Sequence, residues 1–156
     1  MKNIINLFQE SIDLKNKIVS GEEIKIITEM GDERITAIMS GNKIMLCGNG
    51  GSAADAQHLA TELTVRFSKD RRAIPAISLV TDTSALTAIG NDFGFDFVFS
   101  RQIEALGDKD DVAIGITTSG KSKNVINAIK TAKKKGLRCV VFTGNYTRLV
   151  SGLCDE

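Results

Sequence analysis

The stretch that decides the fold is KIMLCGNGGSAADAQHLATEL, residues 43–63. It opens on a short apolar run, KIMLCG, which is typical of a buried strand. The glycine-rich NGGS then predicts a tight turn, and AADAQHLATEL has the character of a helix. A strand, a glycine turn and a helix in this order predict the first half of a βαβ unit.

The same pattern returns along the chain. Apolar runs at residues 73–80, 111–116 and 137–144 predict three more strands, and helical stretches follow the first two of these runs. The runs do not alternate in polarity, which indicates parallel strands covered on both faces. Residues 3–40 look helical, with a break at SGEE, residues 20–23. Their apolar residues fit either a core or an oligomer surface.

Composition excludes several classes of protein. The chain has 156 residues, a formal net charge of +1 and 25% charged residues, which give no reason to expect nucleic acid or membrane as the main partner. The three cysteines, Cys47, Cys139 and Cys154, are an odd number without metal-type spacing. We therefore expect free thiols in the reducing cytoplasm.

The loops that should leave the carboxyl ends of the strands are polar and mostly uncharged. GITTSGKS, residues 115–122, matches the Walker A pattern of nucleoside triphosphatases. A Walker B acid should end another strand, and Asp82 is the one candidate, upstream of the loop. The alternative is a hydroxyl cradle for a phosphate monoester at a helix start, with Lys121 directed elsewhere. Its members are Thr117, Thr118, Ser119 and Ser122.

The first glycine turn also admits two interpretations. GNGGSA, residues 48–53, fits a dinucleotide fingerprint, but that fingerprint expects an acid about 20 residues on, at the end of the next strand. Asp70 lies about 20 residues after these glycines, as the fingerprint requires, but it belongs to a basic loop before that strand. The physical interpretation is a backbone turn that approaches an anion, with Ser52 as helix cap and hydroxyl donor.

Two polar pairs complete the candidate residues. His58, the single histidine, and Glu62 are four apart on a predicted helix and share one face, where they could hold a metal or exchange protons. Asn91 and Asp92 follow a helical stretch. Gly90–Asn91 fits a helix C-cap and turn, and a polar pair facing the pocket is the functional alternative.

Three motifs together resemble one family. CGNGGSAADAQHLATEL, TDTSALTAIGNDFGFDFVFSRQIEALG and KDDVAIGITTSGKSKNV, spread over residues 47–125, resemble the sugar isomerase (SIS) domain and, more narrowly, the sedoheptulose 7-phosphate isomerases. The resemblance implies a three-layer α/β sandwich with a flavodoxin-like parallel sheet. It assigns residues 41–156 to the SIS domain. It also implies that the N-terminal helices, residues 1–40, belong to the same domain and serve as an oligomer interface.

The resemblance also implies an activity and a site. The reaction converts a ketoheptose 7-phosphate to an aldoheptose 7-phosphate for lipopolysaccharide or another surface glycan, in a cytoplasmic homotetramer with active sites between subunits. Glu62 corresponds to the catalytic carboxylate and, with His58, to ligands of one zinc ion per subunit. The matching substrate-binding positions are Asn49, Gly50, Gly51, Ser52, Glu62, Asn91, Asp92, Thr117, Thr118, Ser119 and Ser122.

The family pattern continues into a C-terminal helix that supplies a Gln and a His to the zinc, and this sequence stops at Glu156. We therefore expect a C-terminally incomplete chain that is weak or inactive alone. Three other functions stay open: an adaptor of the same family that binds the replication initiator DnaA, a sugar-phosphate-sensing module, and a nucleoside triphosphatase. Glu62 favours the enzyme over the adaptor, in which an apolar residue replaces that carboxylate.

Overall fold

The computed structural model describes residues 3–144 and Gly152. Cys154 lies outside the described residues. The chain forms two compact units, Met1–Thr36 and Ala37–Glu156. The first contains helix α1, Ile4–Ser20, and most of helix α2, Glu23–Met39. The Asn3 side chain caps α1 by accepting from the Ile5 N–H at 3.2 Å. The predicted break at SGEE is confirmed, because α1 ends at Ser20 and α2 begins at Glu23.

The second unit alternates strands and helices as predicted. In order, its elements are β1 Ile44–Gly48, α3 Gly51–Thr64, β2 Ala76–Ser78, α4 Thr83–Asp92, a 3₁₀ turn Phe95–Phe97, α5 Ser100–Leu106, β3 Val112–Thr117, α6 Lys123–Lys134 and β4 Arg138–Thr143. All three strand pairings are parallel, and the strand order is β2-β1-β3-β4. These are the first four positions of a flavodoxin-like sheet, which confirms the predicted fold class.

Helices cover both faces of this sheet. The chain steps one way from β1 to β2 and the other way from β2 to β3, so right-handed crossovers place α3 on one face and α4 to α6 on the other. The main core lies on the α5–α6 face. It includes Met45, Cys47, Leu79, Val98, Phe99, Ile103, Ala113, Val125, Ala128, Ile129, Ala132, Leu137 and Cys139.

Several predicted boundaries were wrong. The strand expected at residues 73–80 is only Ala76–Ser78, an edge strand that follows Pro75, a residue with no N–H to donate. Helix α4 runs through Asp92, so the predicted C-cap at Gly90–Asn91 is wrong, and the left-handed glycine is Gly94 at φ 93°. The two helical segments between residues 95 and 106 were not predicted. Within the described residues, no helix combines the length and apolar character needed to cross a membrane.

A charged clasp fixes the register of the two central strands, β1 and β3. Asp111 is almost fully buried, with 2% of its side chain exposed, and Lys43 Nζ lies 2.5 Å from its Oδ2. The same carboxylate accepts from the main-chain N–H groups of Lys43 at 2.9 Å and Asp108 at 2.8 Å. Burial favours a raised pKa for Asp111, but these hydrogen bonds outweigh it and hold the pKa below its ordinary value of 3.8.

We expect Asp111→Ala to lower the free energy of unfolding by about 2–4 kcal/mol. The substitution leaves two main-chain N–H donors and the Lys43 ammonium group without their buried carboxylate partner. Urea unfolding at pH 7 measures the loss. Asp108→Ala is the matched control. Its side chain is 83% exposed, so its ion pair with Lys43 should contribute at most about 1 kcal/mol.

The stabilisation from Asp111 should depend on pH with a defined sign. Since the folded-state pKa lies below the unfolded one, the contribution is complete above the unfolded value and is lost as the pH falls through the folded value. Asp111→Asn should therefore unfold with a weaker pH dependence below pH 4 than the parent chain. Equal slopes for the two proteins would contradict this assignment.

Candidate active site

The loops after β1 and β3 meet at one edge of the sheet. Gly48, the last residue of β1, pairs with Ile116 of β3. The chain leaves these adjacent strands in opposite directions, which makes this edge the topological switch point where α/β sheets bind ligands. The two glycine-rich loops that follow Gly48 and Thr117, 69 residues apart in sequence, therefore become neighbours.

A pair of side-chain amides ties the two loops together. Asn49 Nδ2 donates to Asn124 Oδ1 at 2.9 Å, and Asn124 Nδ2 donates to Asn49 Oδ1 at the same distance. Asn124 is 3% exposed and belongs to the first turn of α6. Asn49, predicted to contact substrate, thus also fixes the β1 loop against α6. The sequence analysis did not single out Asn124.

Three of the four predicted cradle hydroxyls form hydrogen bonds around the start of α6. The hydroxyls of Thr117 and Ser122 are 3.0 Å apart, and Ser119 Oγ accepts from the Lys121 N–H at 3.2 Å. Ser122 is the N-cap residue of α6, and the loop turns at Gly120 with φ 64°. Hydroxyls at a helix N-terminus offer donors and a favourable dipole to an anion.

Helix α3 begins at the same edge, and two glycines make this start possible. Gly50 is its N-cap with φ 57°, a conformation that favours glycine. A Cβ on Gly48 would lie 2.6 Å from the main-chain oxygen of Ser52. The prediction that Ser52 caps α3 is wrong, because Ser52 lies inside the first turn and its hydroxyl is not used as a cap.

Gly48→Ala should displace the start of α3 because the new methyl group meets main-chain atoms that cannot rotate away. We expect a loss of about 1–3 kcal/mol in the free energy of unfolding. Amide chemical-shift changes should concentrate in residues 49–55. Gly51→Ala is the control, since a Cβ there meets nothing within 4 Å. A Gly48 variant as stable as the parent would contradict the packing argument.

An open cleft of about 290 Å³ lies between α3 and the ends of β3 and β4. Ser52 and Thr118, both predicted, line it together with Asp55, Ile116, Phe142, Thr143 and Gly144. Thr143 Oγ1 is buried and has no hydrogen-bond partner among the described residues. Asp55 and Thr143 were missed by the sequence analysis, although Asp55 lies in the stretch 43–63 and Thr143 in the apolar run 137–144.

His58 and Glu62 lie further along α3. Their side chains are 71% and 30% exposed, and His58 Nε2 is 3.2 Å from Glu62 Oε1. With Ser52 and Asp55 they recur at spacings of three, three and four, so one face of α3 carries all four. Glu62 is ten residues from Ser52, about 15 Å along the axis, and side chains lean toward the helix N-terminus. A chain-like ligand could therefore contact the loops and Glu62 together.

The His58–Glu62 pair provides a nitrogen and an oxygen donor of the kinds that zinc accepts. Within residues 3–144 and Gly152, no three His, Cys, Asp or Glu side chains converge closely enough to hold a metal. Catalytic zinc sites usually have three protein ligands. The two residues thus fit part of a zinc site. Cys47 is not part of it, because its side chain lies in the core on the opposite face of the sheet from α3, where burial raises the pKa of the thiol to about 12.

Asn91 and Asp92 are not brought to the cleft. They lie exposed on the last turn of α4, about 13 Å along the helix axis from its start at Thr83. Asn91 Nδ2 donates to Asp92 Oδ1 at 2.8 Å. The acids required by the nucleotide interpretations have other partners: Asp82 caps α4 through the Ala85 N–H, and Asp70 pairs with Arg66.

Comparison with known proteins gives one family. The SIS domain model matches residues 8–144. The chain is 51% identical over 155 residues to phosphoheptose isomerase 1 of Campylobacter jejuni, which covers 98% of the chain and 83% of that protein. It is 58% identical over 121 residues to phosphoheptose isomerase of Aliarcobacter butzleri, covering 78% of the chain but 64% of that relative.

Solved structures of phosphoheptose isomerases also match the chain. The phosphoheptose isomerase of Neisseria gonorrhoeae superposes with a TM-score of 0.86 at 41% identity, over 98% of this chain and 79% of that one. The phosphoheptose isomerase of Francisella tularensis superposes with a TM-score of 0.90 at 31% identity, over 98% of this chain and 80% of that one. A family model over most of the chain and a relative of 51% identity over nearly all of it lead to one conclusion: the chain belongs to the phosphoheptose isomerases, a family of isomerase enzymes with a SIS domain.

Proposed function

We propose that this chain converts D-sedoheptulose 7-phosphate to D-glycero-D-manno-heptose 7-phosphate through an enediol(ate). The observation that carries the proposal is the single face of α3 that joins Ser52, at the hydroxyl-rich loops, to Glu62. A sugar phosphate has an anionic end and a reacting carbonyl end. The Ser52 end of this face suits the phosphate, and the Glu62 end suits the carbonyl. The relatives named above are phosphoheptose isomerases, which supports isomerisation of a heptose phosphate.

The loops at the switch point hold the phosphate in this proposal. Ser119 and Ser122, at the start of α6, would donate to its oxygens, aided by the first-turn amides and the helix dipole. Asp55 lies on the α3 side of the cleft, where a carboxylate would repel a phosphate and accept from sugar hydroxyls instead. The sugar would therefore extend along α3, with the buried Thr143 hydroxyl as a further partner.

Glu62 acts as the base. Its carboxylate takes a proton from C1 of the ketose as the C2 carbonyl oxygen gains negative charge. The proton then returns to C2, the C1 hydroxyl proton is transferred to the C2 oxygen, and the aldose forms with its carbonyl at C1 and a hydroxyl at C2. A carboxylate held beside C1 and C2 accounts for a rate factor of about 10²–10⁴, and the hydroxyl proton needs a second acid–base group.

The proposal includes one zinc ion per subunit, with His58 and Glu62 as two ligands and the others from outside the described residues, in a C-terminal segment. Zinc bound there would stabilise the oxyanion that develops on the substrate. Glu62 keeps a second carboxylate oxygen for proton transfer, and the 3.2 Å contact with His58 orients the pair.

A homotetramer is part of the proposal, with active sites between subunits. Asn91 and Asp92 are substrate residues in the family pattern, yet they lie at the far end of α4 from its start near the cleft edge, so another copy would supply them. Large apolar residues of α1 are exposed, including Ile4, Ile5 and Phe8 at 69–70%, and an oligomer interface would cover them.

We place the reaction in the cytoplasm, in the synthesis of heptose for lipopolysaccharide or another surface glycan. Two features support this location. Cys47 is a buried free thiol, as expected in a reducing compartment. The substrate of the proposal is a sugar phosphate, a charged metabolite of cell interiors.

Replacement of Glu62 by Gln tests the proposal. Glu62→Gln retains the shape and removes the base, so we expect sedoheptulose 7-phosphate turnover, followed by NMR, to fall by a factor of at least about 10². Phosphate-end binding, followed by amide shifts in residues 117–122, should persist.

Glu104→Gln is the matched control for this experiment. Glu104 is an exposed carboxylate paired with Arg101 on α5, away from the cleft, and its loss should leave turnover unchanged. Unaffected turnover in Glu62→Gln would remove Glu62 as the base. Substrate binding without any turnover, even after fusion to the C-terminal segment of a phosphoheptose isomerase relative, would favour a sensing module.

A further inference from the structure

Helix α3 ends without the usual devices for a helix C-terminus. Its last residue is Thr64, its C-cap is Val65 with φ −92° and ψ −88°, and no basic residue lies in its last turn. The last four carbonyl groups of a helix have no partner within the helix. Glycine in the left-handed conformation or a nearby cation commonly satisfies them. Glu62 belongs to this last turn.

The side chain of Arg71 supplies the missing partners. Arg71 Nη2 donates to the main-chain oxygen of Glu62 at 2.7 Å, and Nη1 donates to that of Leu63 at 2.8 Å. Nη1 also donates to the main-chain oxygen of Arg72 at 2.9 Å, which folds the loop around the guanidinium. The Ile74 N–H adds a second donor to Leu63 at 3.1 Å.

The planar guanidinium is well suited to this role. It presents several N–H donors in a rigid fork, so one side chain can hold two successive carbonyl groups. A positive charge at the negative end of the helix dipole is also favourable. Arg66 and Arg72, from the same loop, have other partners: Arg66 pairs with Asp70, and Arg72 donates to the main-chain oxygen of Ile38 at 3.2 Å.

We propose that Arg71 is a positioning residue for Glu62, and this rests on the function proposed above. Arg71 holds the peptide group of the residue whose carboxylate takes the substrate proton, so it fixes that carboxylate along and around α3. Helix ends fray when their carbonyl groups lack partners. A displacement of about 1 Å at a reacting group can lower a rate 10²-fold.

Arg71→Gln tests the proposal through two independent measurements. Hydrogen exchange at the amides of residues 63–65 should become about 10-fold faster, while exchange in β1 stays unchanged. The kcat for sedoheptulose 7-phosphate should fall about 10- to 100-fold with KM changed less than 3-fold, because phosphate binding lies at the other end of α3.

The controls separate positioning from a general loss of structure. Arg72→Gln removes the neighbouring arginine and should change neither measurement at α3. Arg71→Lys should recover only part of kcat, because an ammonium lacks the fork that holds both carbonyl groups. Added guanidinium should raise kcat of Arg71→Ala and slow exchange at residues 63–65 toward the parent value.

A double-mutant cycle with Glu62→Gln completes the test. If Arg71 acts through Glu62, Arg71→Gln should lower turnover no further in the Glu62→Gln chain. An equal further loss, or unchanged exchange at the end of α3, would overturn the proposal. Full turnover by Glu62→Gln alone would instead refute Glu62 as the base, and the exchange measurement would still decide whether Arg71 holds the helix end.

Discussion

The parallel pairing of β1 with β3 is the constraint on which the rest of the second unit depends. The Lys43–Asp111 clasp fixes this register at one edge of the sheet, and the Asn49–Asn124 amide pair fastens the loops at the other. Between them the strands are buried on both faces. A slip of one residue would turn every side chain to the opposite face and separate the two loops.

Because of this register, the two ends of α3 have different surroundings. The helix starts where Gly48 and Gly50 allow the backbone to turn sharply, beside the hydroxyl cradle at the start of α6. It ends at a turn that carries Glu62 and is held from outside by Arg71. In the proposed function, α3 therefore sets the distance between the phosphate site and the base, and the Asn49–Asn124 pair and Arg71 hold the chain near its two ends.

Much of this arrangement could be predicted from the sequence, because each feature was local. Apolar runs followed by glycine turns predicted the strands, their parallel orientation and the loops that carry Ser119 and Ser122. Contacts between distant residues could not be predicted in this way. The Asn49–Asn124 pair, the buried hydroxyl of Thr143 and the reach of Arg71 to α3 depend on tertiary packing, which spacing along the chain does not report. Helix α4 continues past Gly90, where a C-cap was predicted, because glycine permits a turn without requiring one.

Solvent isotope exchange tests the central claim, that Glu62 moves the proton between C1 and C2, most directly. Sedoheptulose 7-phosphate would be incubated with the chain in D₂O, and deuterium at C1 of the ketose and C2 of the aldose followed by NMR. We expect incorporation by the parent chain and a decrease by a factor of at least about 10² in Glu62→Gln. Undiminished incorporation in Glu62→Gln would contradict it.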